Sequence, residues 1–126
     1  MRSTDSLSDD TSYFFSELKR LRYIVDRLAE DRYFIILDEI LKGTNSTDKA
    51  IGSAKFVRRL VASGSTGIIA THDLSLCELG DELVQVENYY LDAEIIDDEL
   101  SFDYSLKKGI CQNMNASFLL EKMDLV

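Results

Sequence analysis

From Phe14 the apolar positions fall at Phe14, Leu18, Leu21, Val25 and Leu28, spacings of four and three, with Glu17, Lys19, Arg20, Arg22 and Asp26 between them. That spacing predicts an amphipathic helix with one apolar stripe. The polar run Ser8-Asp9-Asp10-Thr11 reads as a loop leading into it, with Ser12 or a residue just before it as N-cap. Tyr33-Phe34-Ile35-Ile36-Leu37 is a short, unalternating, β-rich run ended by Asp38 and Glu39. It has the composition of a strand buried on both faces of a parallel sheet. Gly43 and the Thr44-Asn45-Ser46-Thr47 cluster predict a loop. Ile51, Ala54, Val57, Leu60 and Val61 then predict a second helix, closed by Gly64, before a second buried strand at Gly67-Ile68-Ile69-Ala70.

Strand, helix and strand in this order form a βαβ unit, whose default is a right-handed crossover and a parallel pair. A short helix is expected near Leu74 to Leu79, after which the pattern changes. Leu83 to Asp92 and Leu100 to Leu106 read as strands, the second alternating Leu100, Phe102, Tyr104 and Leu106 with Ser101, Asp103 and Ser105. With the acidic Asp97-Asp98-Glu99 turn between them, they predict an antiparallel hairpin with one wet face. Asn113 to Leu125 is expected to close as a helix with Phe118, Leu119 and Met123 inward. The chain has no proline, low-complexity linker or internal repeat, so a single core without an internal boundary is expected.

At 126 residues and 45% hydrophobic content, the chain has the size of one compact domain. The formal net charge of −9 changes the picture more, because it argues against a nucleic-acid surface, which needs clustered Lys and Arg to displace counterions. The polar start, Met1-Arg2-Ser3-Thr4-Asp5-Ser6, lacks the apolar stretch of a secretory signal, and no apolar run exceeds Tyr33 to Leu37, so no membrane partner is expected. Cys77 and Cys111 are far apart and outside any CxxC pair, which fits a reducing, cytoplasmic setting.

In open α/β sheets ligands sit beyond the carboxyl ends of the strands. Both strands of the unit end in polar residues there, Asp38-Glu39 on one and Thr71-His72-Asp73 on the other. Acids after an apolar run commonly mark only a return to solvent, and a lone rim histidine is more often a cap than a ligand. Two ionised carboxylates in succession are nonetheless costly to desolvate unless paired or bound to a metal. Together the residues offer a metal ligand, a base and a titratable imidazole on one rim. Tyr89 and Tyr90 read as hairpin packing, since no basic residue lies near them.

The ordered set is specific. Phe34 to Ile40 (FIILDEI), Gly43-Thr44, Ser46-Thr47-Asp48 and Ala70-Thr71-His72 resemble the MutS family of mismatch-repair ATPases, with its strand ending in Asp-Glu, its Gly-Thr-Ser/Thr loop and its Ala-Thr-His switch. Upstream, Ser12 to Leu18 (SYFFSEL) is similar to the family's signature segment. Downstream, Asn88 to Asp92, Phe102 to Leu106 and Gly109 are similar to its terminal hairpin and the following loop.

The resemblance implies that residues 1–126 are the C-terminal half of a MutS-like ATPase domain. The fold implied is α/β, an incomplete P-loop NTPase of the ABC/MutS type with parallel strands flanked by helices and a C-terminal antiparallel hairpin. It implies ATP and magnesium as cofactors in the full-length protein. Asp38 would hold magnesium through its water shell, Glu39 would orient or deprotonate the attacking water, and His72 would sense the γ-phosphate. Ser12 would reach the ATP of a partner subunit, and Thr44, Ser46 and Asp48 would line the homodimer seam. Mismatched or branched DNA would be bound by other domains.

The chain departs from the family pattern in three places. It contains no GxxxxGKS/T phosphate loop, so a truncated or broken nucleotide site is expected. Asp10 stands where the family has glycine two residues before the signature serine, and Leu41 where it has the first glycine after Asp-Glu. Two alternatives remain open: a fragment of a wider ABC-class ATPase, against which the absence of an LSGGQ-like segment argues, and a non-catalytic dimerisation or scaffold module.

Overall fold

The structure is a computed structural model that describes residues 7–112 and 115–126. The polar stretch Met1 to Ser6 and the expected helix start at Asn113 therefore lie outside the described residues. The chain divides into two compact units, Met1–Gln85 and Val86–Val126, rather than forming around a single core. Burial explains the division. Among the described residues the buried hydrophobic side chains fall in the first unit, with Ala93 alone in the second.

The first unit opens with α1, Leu7–Leu28. The helix starts earlier than the polar run suggested, so Ser8 to Thr11 are helical and Ser12 lies in the second turn instead of capping the first. Acidic residues are favoured beside the positive end of a helix dipole, and no proline or glycine interrupts this span, so a run that reads as loop chemistry forms the first turn instead. Leu21, in the middle of the apolar stripe, is buried.

Strand β1, Phe34–Asp38, pairs in parallel with β2, Thr66–Ala70, in the register Phe34 to Thr66 through Asp38 to Ala70. Helix α2, Ser46–Ala62, makes the crossover. Its N-cap is Asn45, whose Oδ1 accepts the Asp48 amide at 2.9 Å. Gly64, at φ 74°, ends it as expected: the Ser63 and Gly64 amides return to the carbonyls of Arg59 and Val61. Ser53, Val57 and Leu60 form the buried face of α2, and Ile35 and Leu37 are buried on β1.

The expectation of strands covered on both faces is not met. Phe34, Ile36 and Ile68 are 60, 73 and 61% exposed, because an unalternating run needs a cover on each side and the described residues of this unit supply one. After β2, α3 (Leu74–Cys77) and α4 (Leu79–Glu82) stand where one short helix was expected. Leu76 and Leu79 are buried, and Arg58 of α2 pairs with Glu82 of α4.

In the second unit β3, Tyr89–Tyr90, and β4, Ala93–Ile96, precede β5, Glu99–Phe102, and β6, Lys107–Lys108. An antiparallel hairpin does close on the acidic turn, but its first strand is β4 rather than the expected Leu83 to Asp92 run; it pairs with β5, and β3 pairs with β6 in the same sense. Asp97 and Asp98, at φ 52° and 61°, form its two-residue turn. The continuous strand expected from Leu83 to Asp92 is absent, since only Tyr89–Tyr90 pairs. The alternation from Leu100 to Leu106 breaks at Tyr104, which takes φ 55°. Helix α5, Asn115–Lys122, keeps Phe118 half-buried, but Leu119 and Met123 are exposed rather than inward.

Candidate functional site

The site is built where the parallel ladder runs out. The Glu39 amide donates to the Ala70 carbonyl at 2.9 Å, carrying the β1–β2 pairing one residue past the strand. Glu39 itself is at φ 52° and Leu41 at φ 57°, so the chain turns sharply through the left-handed region immediately after Asp38. Ile40 and Leu41 are then buried, which anchors the turn against the core.

The turn delivers the Glu39 carboxylate to the end of β2. Its Oε1 accepts the His72 amide at 2.6 Å, and its Oε2 accepts the Lys49 ammonium at 3.0 Å and the Thr71 hydroxyl at 3.5 Å. Burial alone would raise the Glu39 pKa. The hydrogen bonds and charge from Lys49, with the His72 amide and charge, outweigh it and hold the carboxyl below its ordinary value. Glu39 is thus ionised and oriented.

Asp38 is the last residue of β1 and is exposed. His72 is also exposed on the rim, held to Glu39 through its backbone. Thr71 accepts the Asp73 amide at 3.0 Å, and Asp73 caps α3 by accepting the Ser75 amide at 2.9 Å, so the switch-like segment is fixed on both sides. Among the described residues no group of three or more His, Cys, Asp or Glu side chains gathers as a metal cage. A magnesium ion does not require one, because it commonly keeps its waters and takes one or two carboxylates plus substrate phosphates. The exposed Asp38 carboxylate fits that donor role.

The remaining predicted residues are placed as follows. Thr44 is half-buried in the loop before α2, and Ser46 and Asp48 are exposed in its first turn. Asp48 Oδ2 accepts the Asn45 side-chain amide at 2.7 Å, so Asp48 is tied into the helix cap. The loop touches α1: a Cβ on Gly43 would stand 2.7 Å from Phe14 Cβ, a contact that leaves room for glycine alone. Ser12 is exposed two residues before Phe14, its carbonyl accepting from Ser16 Oγ at 2.9 Å. Because Ser12 lies in the second turn rather than at the N-cap, its amide belongs to the helical ladder. The hydroxyl is what this position offers.

Lys49 is the participant that sequence reasoning missed. Its partner lies ten positions away and meets it only because α2 begins beside the β1 end.

An α/β unit with an acidic pair and a Thr-His turn on one rim defines the class, and comparison with known proteins assigns the family. The model of MutS domain V matches residues 1–121, and the chain belongs to that family. It is 34% identical over 109 residues to the DNA mismatch repair protein MutS of Aquifex pyrophilus, covering 85% of this chain and 12% of that protein. It is 29% identical over 118 residues to MutS protein homolog 4 of Mus musculus, with 88 and 12% covered. The mitochondrial DNA mismatch repair protein MSH1 of Arabidopsis thaliana is 29% identical over 112 residues, with 89 and 10% covered. The chain thus spans about a tenth to an eighth of the length of these relatives. No helix among the described residues is long and apolar enough to cross a membrane.

Proposed function

We propose that this chain is the C-terminal half of the ATPase domain of a MutS-like mismatch-repair protein, supplying the hydrolytic side of a nucleotide site whose phosphate loop lies elsewhere. The observation that supports this most is the Asp38-Glu39 turn, which presents an exposed carboxylate at a strand end and fixes the next one against the His72 backbone amide. Asp38 would hold a magnesium ion, which when bound would supply charge neutralisation for the transferring phosphoryl group. Glu39, ionised and oriented, takes the proton of the attacking water or aligns it. The His72 imidazole, exposed on the rim, senses the γ-phosphate. Ser12 reaches the nucleotide of a second subunit, and Thr44, Ser46 and Asp48 lie along the dimer seam. With a net charge of −9, mismatched or branched DNA is held by other domains.

The metal role has a direct test. In the full-length protein Asp38→Asn is expected to weaken magnesium-dependent ATP binding. Equal ATP affinity of the wild type with and without magnesium contradicts it.

A further inference from the structure

The carboxylate proposed as the base is already heavily engaged. A carboxylate offers about four lone-pair positions. Three are taken here, by the His72 amide on Oε1 and by the Lys49 ammonium and Thr71 hydroxyl on Oε2. The pair is sheltered, with the Lys49 and Glu39 side chains 26 and 16% exposed, so solvent screens it less than a surface pair. Lys49 is also firmly based. It lies in the first turn of α2, its amide donates to the Asn45 carbonyl at 2.9 Å, and Asn45 caps that helix.

A base must bring a free lone pair within hydrogen-bond reach of water. The ammonium and the Thr71 hydroxyl fill Oε2, and the ammonium draws electron density from the carboxylate, while the His72 amide fixes Oε1 and leaves it one open position. We propose that Lys49 is a positioning residue that latches Glu39 onto the Thr71–His72 turn, so that hydrolysis waits on release of this ion pair. The proposal rests on the reading of Glu39 as the hydrolytic base. Release needs the Lys49 side chain, carried on the first turn of α2, to swing off the strand-end turn, which ties the helix after the acidic pair to the timing of turnover.

Steady-state ATPase kinetics of the full-length protein test it. Lys49→Met and Lys49→Gln remove the cation and are expected to raise kcat by about three- to tenfold with KM unchanged. Lys49→Arg keeps the charge and returns kcat toward wild type. The double variant Lys49→Met/Glu39→Gln falls to the level of Glu39→Gln, because the gain acts through that carboxylate. If Glu39→Gln is slow and neither neutral variant is faster than wild type, the latch is wrong and the base reading stands. If Glu39→Gln turns over like wild type, the base reading falls and takes the latch with it.

Discussion

Leu41 sits at φ 57° with its side chain buried, at the position where the family pattern has a glycine. The left-handed backbone costs a non-glycine residue about 1–3 kcal/mol. Burial of the isobutyl group against α2, where a Cβ on Gly52 would come within 2.8 Å of Leu41 Cδ1, offsets that cost. Leu41→Gly relieves the strain and opens a cavity, and the cavity is the larger effect, so a net destabilisation of about 1–3 kcal/mol is expected by chemical denaturation. A variant as stable as wild type would show that strain outweighs packing. The substitution of Leu41 for glycine was legible in the sequence because it breaks a motif. The engagement of Glu39 was not: its partners, Lys49, Thr71 and His72, come from other elements, and only the folded crossover brings them together.

Elements with a strong local pattern were legible. The apolar spacing that locates α1, the Gly64 end of α2 and the acidic hairpin turn all depend on neighbours in sequence. The extent of α1 was misread because Ser and Asp favour both loops and the first turn of a helix. The strand from Leu83 was misread because apolar residues there serve a helix end and a loop as well as β3. The hairpin gives an element-scale prediction. Asp97 and Asp98 place two like charges at positive φ in a two-residue turn, a conformation that Asn-Gly adopts with less strain. Replacing the pair by Asn-Gly is expected to stabilise the protein by about 1 kcal/mol, read as a higher thermal midpoint. A lower midpoint would mean that the acidic pair makes contacts worth more than the strain.

Across the whole chain, the sequence revealed the α/β order and the family but not the division into two units or the face of the parallel ladder left open at Phe34, Ile36 and Ile68. Periodicity reports which positions prefer burial; it does not report whether the chain supplies the cover. The same incompleteness governs nucleotide binding. A triphosphate takes most of its protein contacts from the backbone cradle and lysine of a phosphate loop, which these 126 residues lack, and the net charge of −9 repels ATP. Residues 1–126 alone are therefore expected to bind magnesium-ATP no tighter than about millimolar, as measured by calorimetry, and micromolar affinity would mean that the chain holds a complete site. The central claim, that the acid after the proposed metal ligand drives hydrolysis, is tested most directly by single-turnover ATP cleavage in the full-length Glu39→Gln protein. The account predicts near-normal ATP binding with cleavage slowed by on the order of a hundredfold or more; cleavage at the wild-type rate would contradict it.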